Sequence, residues 1–119
     1  MKRVYRLRRP EHFNRVRREG RNWSTPLLTL NVALSRRKLP RCGFIVGKRV
    51  GNAVERNRCR RRVREAVRLE YQRILPGRDL VFIVRSPDLA TIDFVQLQQL
   101  VRDLLQRAGA LYDTQASDA

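Results

Sequence analysis

The sequence predicts an α+β fold: one small central β-sheet with three helices packed on it. Residues 42–48 and 79–85 read as apolar strands, and residues 27–35 alternate apolar with polar side chains, the two-residue period of a half-buried strand. Segments beginning at Asn52 and Asp93 repeat their apolar residues at helical spacing instead, and Pro10-Glu11 looks like the first turn of another helix. The resulting order is helix, strand, strand, helix, strand, helix, in which one small sheet has helices to cover it. A chain of 119 residues is about one domain, so residues 1–119 are read as a single unit with neither repeat nor linker.

In chain order, residues 1–9 form a basic arm. Pro10 then opens a helix, because its missing N–H costs nothing in the first turn, and Glu11 suits the positive end of the dipole. Gly20 stops that helix after Glu19. In LLTLNVALS, residues 27–35, Leu28, Leu30, Val32 and Leu34 share one face and Thr29, Asn31 and Ala33 the other. Trp23, just before it, has no evident place. The loop from Ser35 to Arg41 is basic and closes on Pro40. CGFIVGK, residues 42–48, is the second strand, broken by Gly51-Asn52. Asn52 caps the next helix, with Glu55 at the third position of a capping box. Pro76-Gly77 turns the chain into DLVFIVR, residues 79–85, which is apolar enough to be buried on both faces and ends at Ser86-Pro87. Asp93 is the N-cap of the last helix, whose Phe94, Leu97, Leu100, Val101, Leu104 and Leu105 form a core-facing stripe, and Gly109 is its stop. Residues 113–119 read as a frayed tail.

Charge narrows the function. The chain has 27 Lys and Arg against 11 Asp and Glu, a net +16. Residues 1–75 hold 23 basic and 5 acidic side chains (+18), and residues 76–119 hold 4 and 6 (−2). The first two thirds therefore carry the field, and such a field implies a polyanionic partner. Arginine dominates lysine, and its planar fork suits phosphate contacts and stacking on bases. The composition is 42% hydrophobic, so disorder is not implied. The longest apolar run, Leu80 to Val84, is far short of the roughly twenty residues a bilayer needs, and no apolar stretch follows the basic N-terminus as in a signal peptide. The expectation is a soluble, cytoplasmic protein.

The densest charge lies in GNAVERNRCRRRVREAVR, residues 51–68, with seven arginines in eighteen residues. At 100° per residue, Cys59, Val63, Ala66, Val67 and Ile74 fall on one side, and Asn57, Arg61, Arg64 and Arg68 on the other. Arg58 and Arg60 flank that second face. A charged face is most often merely solvated. Here only Glu55, Glu65 and Glu70 stand against eight arginines between positions 56 and 73, while Lys48, Arg49 and the 36–41 loop extend the same field. Phosphate-backbone binding is the better reading, and it predicts affinity that falls steeply with salt.

No catalytic set is visible. GFIVGK has one residue too few between its glycines for a phosphate loop and lacks the following Ser or Thr. His12 is the single histidine and reads as an exposed helix residue. Cys42 and Cys59 have neither CxxC spacing nor a histidine nearby, which leaves two buried thiols and no zinc site. The carboxylates of the basic region show no pairing for acid–base work or for metals. Phe13, beside Arg9 and Arg17, fits either a core residue or a platform for an unpaired base.

Gly51-Asn52-Ala53-Val54, then Arg56-Asn57-Arg58 and Arg60, Arg61 and Arg64-Glu65, closely resembles the signature of the bacterial ribonuclease P protein subunit. Lys48 and Arg49 before it, the basic arm, the helix with Phe13, DLVFIVR and the last amphipathic helix agree over about residues 3 to 108. The resemblance implies a protein cofactor of a ribozyme. The catalytic RNA, with magnesium ions, would cleave precursor tRNA to mature its 5′ end, so no catalytic residue is expected in this chain and no metal site is assigned to it. It also implies a fold similar to a domain of a small-subunit ribosomal protein, with a left-handed crossover through the arginine helix. Two surfaces follow from it. Lys48, Arg49, Asn52, Arg56, Asn57, Arg58, Arg60, Arg61, Arg64 and Arg68 would meet the catalytic RNA. Arg9, Phe13, Arg17 and Asn31 would line a cleft for the 5′ leader of precursor tRNA, with Arg17 and Asn31 standing where relatives often have aromatics. A ribosomal or RNA-chaperone protein would share the charge without the cleft. A DNA-binding module would want more base-reading Asn and Gln on the helix. A membrane-surface protein would want larger apolar residues than Cys59, Val63, Ala66 and Val67. Neither DNA nor membrane is therefore expected as a partner.

Overall fold

The computed structural model describes residue 2 and residues 5–112. The tail expected at 113–119 lies outside them, as do residues 1, 3 and 4 of the arm. The elements run α1 (Pro10–Glu19), β1 (Arg21–Ser24), β2 (Leu28–Leu34), β3 (Arg41–Val46), α2 (Ala53–Glu70), β4 (Arg78–Val84) and α3 (Phe94–Arg107). The four strands form one mixed sheet in the order β1-β2-β4-β3. β2 pairs antiparallel with β1 and β4, whereas β3 and β4 are parallel, so α2 is the crossover between them.

Where the chain turns, the local chemistry is as expected. Pro10 opens α1, and the backbone N–H of Gly20 closes it on the carbonyl of Val16. A side chain on Gly20 would collide with the carbonyls of Val16 and Val32, so glycine lets the end of α1 settle on β2. Gly77, at φ +75°, makes the turn before β4, and Gly109, at φ +65°, ends the run after α3.

The apolar side of β2, with Leu80, Phe82 and Val84 of β4 and Cys42 of β3, meets Cys59, Val63, Ala66 and Val67 of α2 and Leu97, Val101, Leu104 and Leu105 of α3 in the main core. On the other side, α1 lays Val16 over Ala33, Val81 and Ile83, with Leu7 and Phe13 beside it.

Several expectations are corrected. β2 is not half-buried: all its residues but Leu34 are buried, because α1 covers the face bearing Thr29, Asn31 and Ala33. β1 was not foreseen, and it places Trp23 opposite Leu30, on the core side, with the Arg21 guanidinium 5.9 Å from its ring centre. Four polar or bulky residues bracketed by turns carry too little periodicity to announce an edge strand. The second strand stops at Val46, and Lys48–Val50 make a short helical turn. α2 ends at Glu70, so Ile74 reaches the core from beyond the helix. Asp93 occupies the N-cap of α3, yet its side chain makes no capping bond. His12 is half-buried, not exposed. The arm is anchored in part: Arg6 bridges to Cys42, the Leu7 N–H donates to the Cys42 carbonyl (2.9 Å), and Leu7 is buried.

Candidate nucleic-acid interface

The arginine helix starts from a complete capping box. Asn52 Oδ1 accepts the Glu55 N–H (2.9 Å) and Glu55 Oε1 accepts the Asn52 N–H (3.1 Å), so two otherwise orphaned donors are satisfied. Asn52 thus holds the helix start, and its acceptor oxygen is occupied. Cys59, Val63, Ala66 and Val67 are fully buried, which turns the opposite side outward.

That outward side is not uniform. Arg56 donates to the carbonyl of Gly51 (2.7 Å) and stiffens the turn entering the helix. Arg60 donates to Asn57 Oδ1 (2.8 Å). Arg62 points away from the charged face and clamps the carbonyls of Leu89 and Ile92, so it is a strut between α2 and the segment before α3. Arg68 is held by Glu65 through Nε and Nη2 at 2.5–3.0 Å. Lys48, Arg49, Arg58 and Arg61 are exposed and have no carboxylate partner among the described residues. Within α2 and the turn before it, they are the cations most available to phosphate.

Arg64 is a different case. Its guanidinium lies 5.8 Å from the ring centre of Phe44, and its Nε is buried with no partner among the described residues, as is Nε of Arg6. Burial first, then Arg6 and Arg60, pull its pKa below the usual arginine value. Three guanidiniums are therefore crowded where the N-terminal segment meets α2, without carboxylates to balance them.

Other basic residues serve the fold. Asp79, fully buried, takes Arg15 Nη2 at 2.6 Å and both Arg41 Nε and Nη2 at 3.1 and 2.9 Å. Glu70, also buried, holds Arg102 at 2.7–3.0 Å. These pairs take Arg15, Arg41 and Arg102 out of the binding field.

On the other side of the sheet lies the candidate cleft. Phe13 is half-buried, and its ring rests on Gly43: a Cβ there would stand 2.4 Å from its Cε1. Packing and an outward-facing ring are thus compatible. Arg9 and Arg17 are exposed, Arg9 within 3.9 Å of Glu11. Asn31, by contrast, is only 3% exposed and donates to Asn22 Oδ1 across the β1–β2 pair. A second polar chain follows beside it: Arg85 Nε donates to Thr29 Oγ1 (3.0 Å), which donates to Ser24 Oγ (3.2 Å). Asn22, Ser24 and Arg85 were missed in the sequence because β1 was, and without it no partner for Asn31 was visible.

Comparisons with known proteins show the family and the fold. The family model for Ribonuclease P matches residues 1–109. The chain belongs to the ribonuclease P protein family. It is 63% identical to the ribonuclease P protein component of Roseiflexus sp. (strain RS-1), over the whole chain and 95% of that relative. It is 56% identical to that of Chloroflexus aurantiacus, over 93% of this chain and 82% of the relative. Among solved structures it superposes on the Staphylococcus aureus RNase P protein with a TM-score of 0.80 at 25% identity, covering 91% of this chain and 98% of that one. For the Thermotoga maritima RNase P protein the TM-score is 0.78 at 28% identity, with 86% and 96% covered. Family membership makes the chain an RNA-binding protein of tRNA processing and places it in a ribonucleoprotein.

Proposed function

We propose that this protein is the cofactor of a catalytic ribonuclease P RNA and uses two surfaces on opposite sides of its sheet. The free face of α2, with Lys48, Arg49, Arg58 and Arg61, docks on the phosphate backbone of the catalytic RNA. The cleft beside α1 holds the single-stranded 5′ leader of precursor tRNA, with Phe13 as its stacking surface and Arg9 and Arg17 at its rim. The observation that carries this reading is the partition of arginines. Those facing carboxylates and carbonyls brace the fold, while a set on α2 and the turn before it has no such partner and is left for phosphate.

Asn31 contributes through its amide pair with Asn22, which makes that end of the cleft polar where an aromatic ring would stack. Bond cleavage belongs to the RNA and its magnesium ions. The protein supplies binding and orientation.

The two surfaces are separable by substitution. Arg58→Ala with Arg61→Ala weakens binding to the catalytic RNA by about tenfold or more, at roughly 1 kcal/mol for each lost phosphate contact. Phe13→Ala leaves that affinity intact and weakens recognition of precursor tRNA by about 1–3 kcal/mol. Filter binding of the catalytic RNA to the protein, and of precursor tRNA to the assembled holoenzyme, measures the two effects. Loss of the same step by both variants would contradict the assignment.

A further inference from the structure

The N-terminal segment and the end of α2 enclose a pocket of about 580 Å³, lined by Lys2, Tyr5, Arg68, Tyr71 and Gln72. We propose that it is a nucleotide subsite. It takes one unpaired nucleotide of the RNA lying along α2, with the base on Tyr5 and its phosphate against Arg68 and Lys2. This rests on the RNA-docking reading above and adds base stacking to a contact otherwise made to phosphates.

The ring pair supplies the platform. Tyr5 and Tyr71 have centroids 4.4 Å apart and planes inclined by 31°. Tyr71 cannot swing: it is 9% exposed, and its hydroxyl donates to the carbonyl of Pro40 at 2.6 Å. Tyr5 is backed by that ring. The main chain fixes it too, through its own N–H on the Lys2 carbonyl (3.1 Å) and the bridge of Arg6 to Cys42. A stacking surface fixed before binding loses little side-chain freedom when a base arrives. Every base has a face to offer, so such stacking tolerates sequence.

The surrounding groups match the rest of a nucleotide. Arg68 continues the row of Arg61 and Arg64 at helical spacing, so a backbone following α2 arrives at the pocket. Glu65 holds Arg68 by Nε and Nη2, which orients the guanidinium and leaves Nη1 for a phosphate oxygen. Gln72 is exposed and brings both a donor and an acceptor for a base edge. Two tyrosines closing the end of a core explain the ring contact. They do not explain two cations and an amide gathered at its open side. The volume lies within the range of about 300–1,000 Å³ usual for small-ligand sites.

The test uses the full chain and a bacterial ribonuclease P RNA. Tyr5→Leu keeps apolar bulk and removes the aromatic face, and Tyr5→Phe keeps the face. The expectation is affinity at least about fivefold weaker for Tyr5→Leu and within about twofold of the parent for Tyr5→Phe. Unchanged affinity of Tyr5→Leu overturns the subsite, and a loss in the Arg58→Ala, Arg61→Ala variant then leaves the docking reading standing. Failure of the parent to bind the RNA brings down the docking reading and the subsite with it. A second measurement needs no variant: proton spectra of the parent with single-stranded tetra-adenylate, or with inorganic phosphate. An upfield shift of the Tyr5 ring protons with the oligonucleotide alone supports stacking. No shift, or an equal shift with phosphate, overturns it.

Discussion

Gly43 and Phe13 show how one position serves both stability and binding. The phenyl ring occupies the space a side chain on Gly43 would need, with Leu7 Cβ only 3.2 Å from it as well. Gly43→Ala is therefore expected to cost about 1–3 kcal/mol by overpacking and to push the Phe13 ring out of place. Urea unfolding measures the first effect. Weakened cleavage of leader-bearing precursor, with unchanged affinity for the catalytic RNA, reports the second. Cys42 sets a pH limit. Burial first and Asp79 second raise its thiol from 9.0 to about 12, so it stays protonated in the fold but ionises near 9 once unfolded. A raised pKa of this sign stabilises fully below about pH 9 and is lost as pH rises towards 12, at up to about 1.4 kcal/mol per unit. Tyr71 adds to the same trend from its ordinary value of 10.0, raised by burial and then by Cys42 and Tyr5. The unfolding free energy should show no pH dependence from these two groups below about pH 9 and a decline above it that is shallower in Cys42→Ala. Identical alkaline slopes in parent and variant would contradict the assignment.

The elements differ in how far the sequence announces them. α2 was legible to its cap: Asn52 and Glu55 are a local signal, and the stripe from Cys59 to Val67 has a clear period. Asn52→Ala should cost about 0.5–2 kcal/mol of stability, and Asn52→Asp should restore most of it, as thermal melts would show. A loss of RNA affinity without a loss of stability would instead give Asn52 a direct contact. β4 was legible as a strand buried on both faces because nothing polar interrupts Leu80 to Val84. β1 was not, since an edge strand of four residues owes its existence to pairing with β2 and not to its own pattern. That gap hid the Asn22–Asn31 pair, whereas β2 looked half-solvated because its alternation does not show that α1 covers the second face. Of the arginines, only the structure separates Arg62, Arg15 and Arg41, which brace the fold, from Arg58 and Arg61, which face outward. Residue type and helical phase do not reveal a carbonyl 27 or 30 positions away. The Tyr5–Tyr71 contact joins the chain's start to the end of α2 and was invisible for the same reason.

As a whole molecule, the protein is a sheet with the basic helix α2 on one side and α1 on the other, joined at the β3 edge by the N-terminal segment. Tyr5 of that segment packs towards the α2 side and Leu7 towards the α1 side. On the proposed two-surface reading, one small protein would bind a large RNA and a substrate strand together, and so raise the effective concentration of one beside the other. The central claim is that cofactor role. Cleavage of precursor tRNA by a bacterial ribonuclease P RNA at low magnesium, with and without this protein, tests it most directly. The account predicts stimulation that grows with the length of the 5′ leader and disappears for leaderless substrate. Tight RNA binding with no stimulation would contradict it and leave a general basic RNA-binding protein.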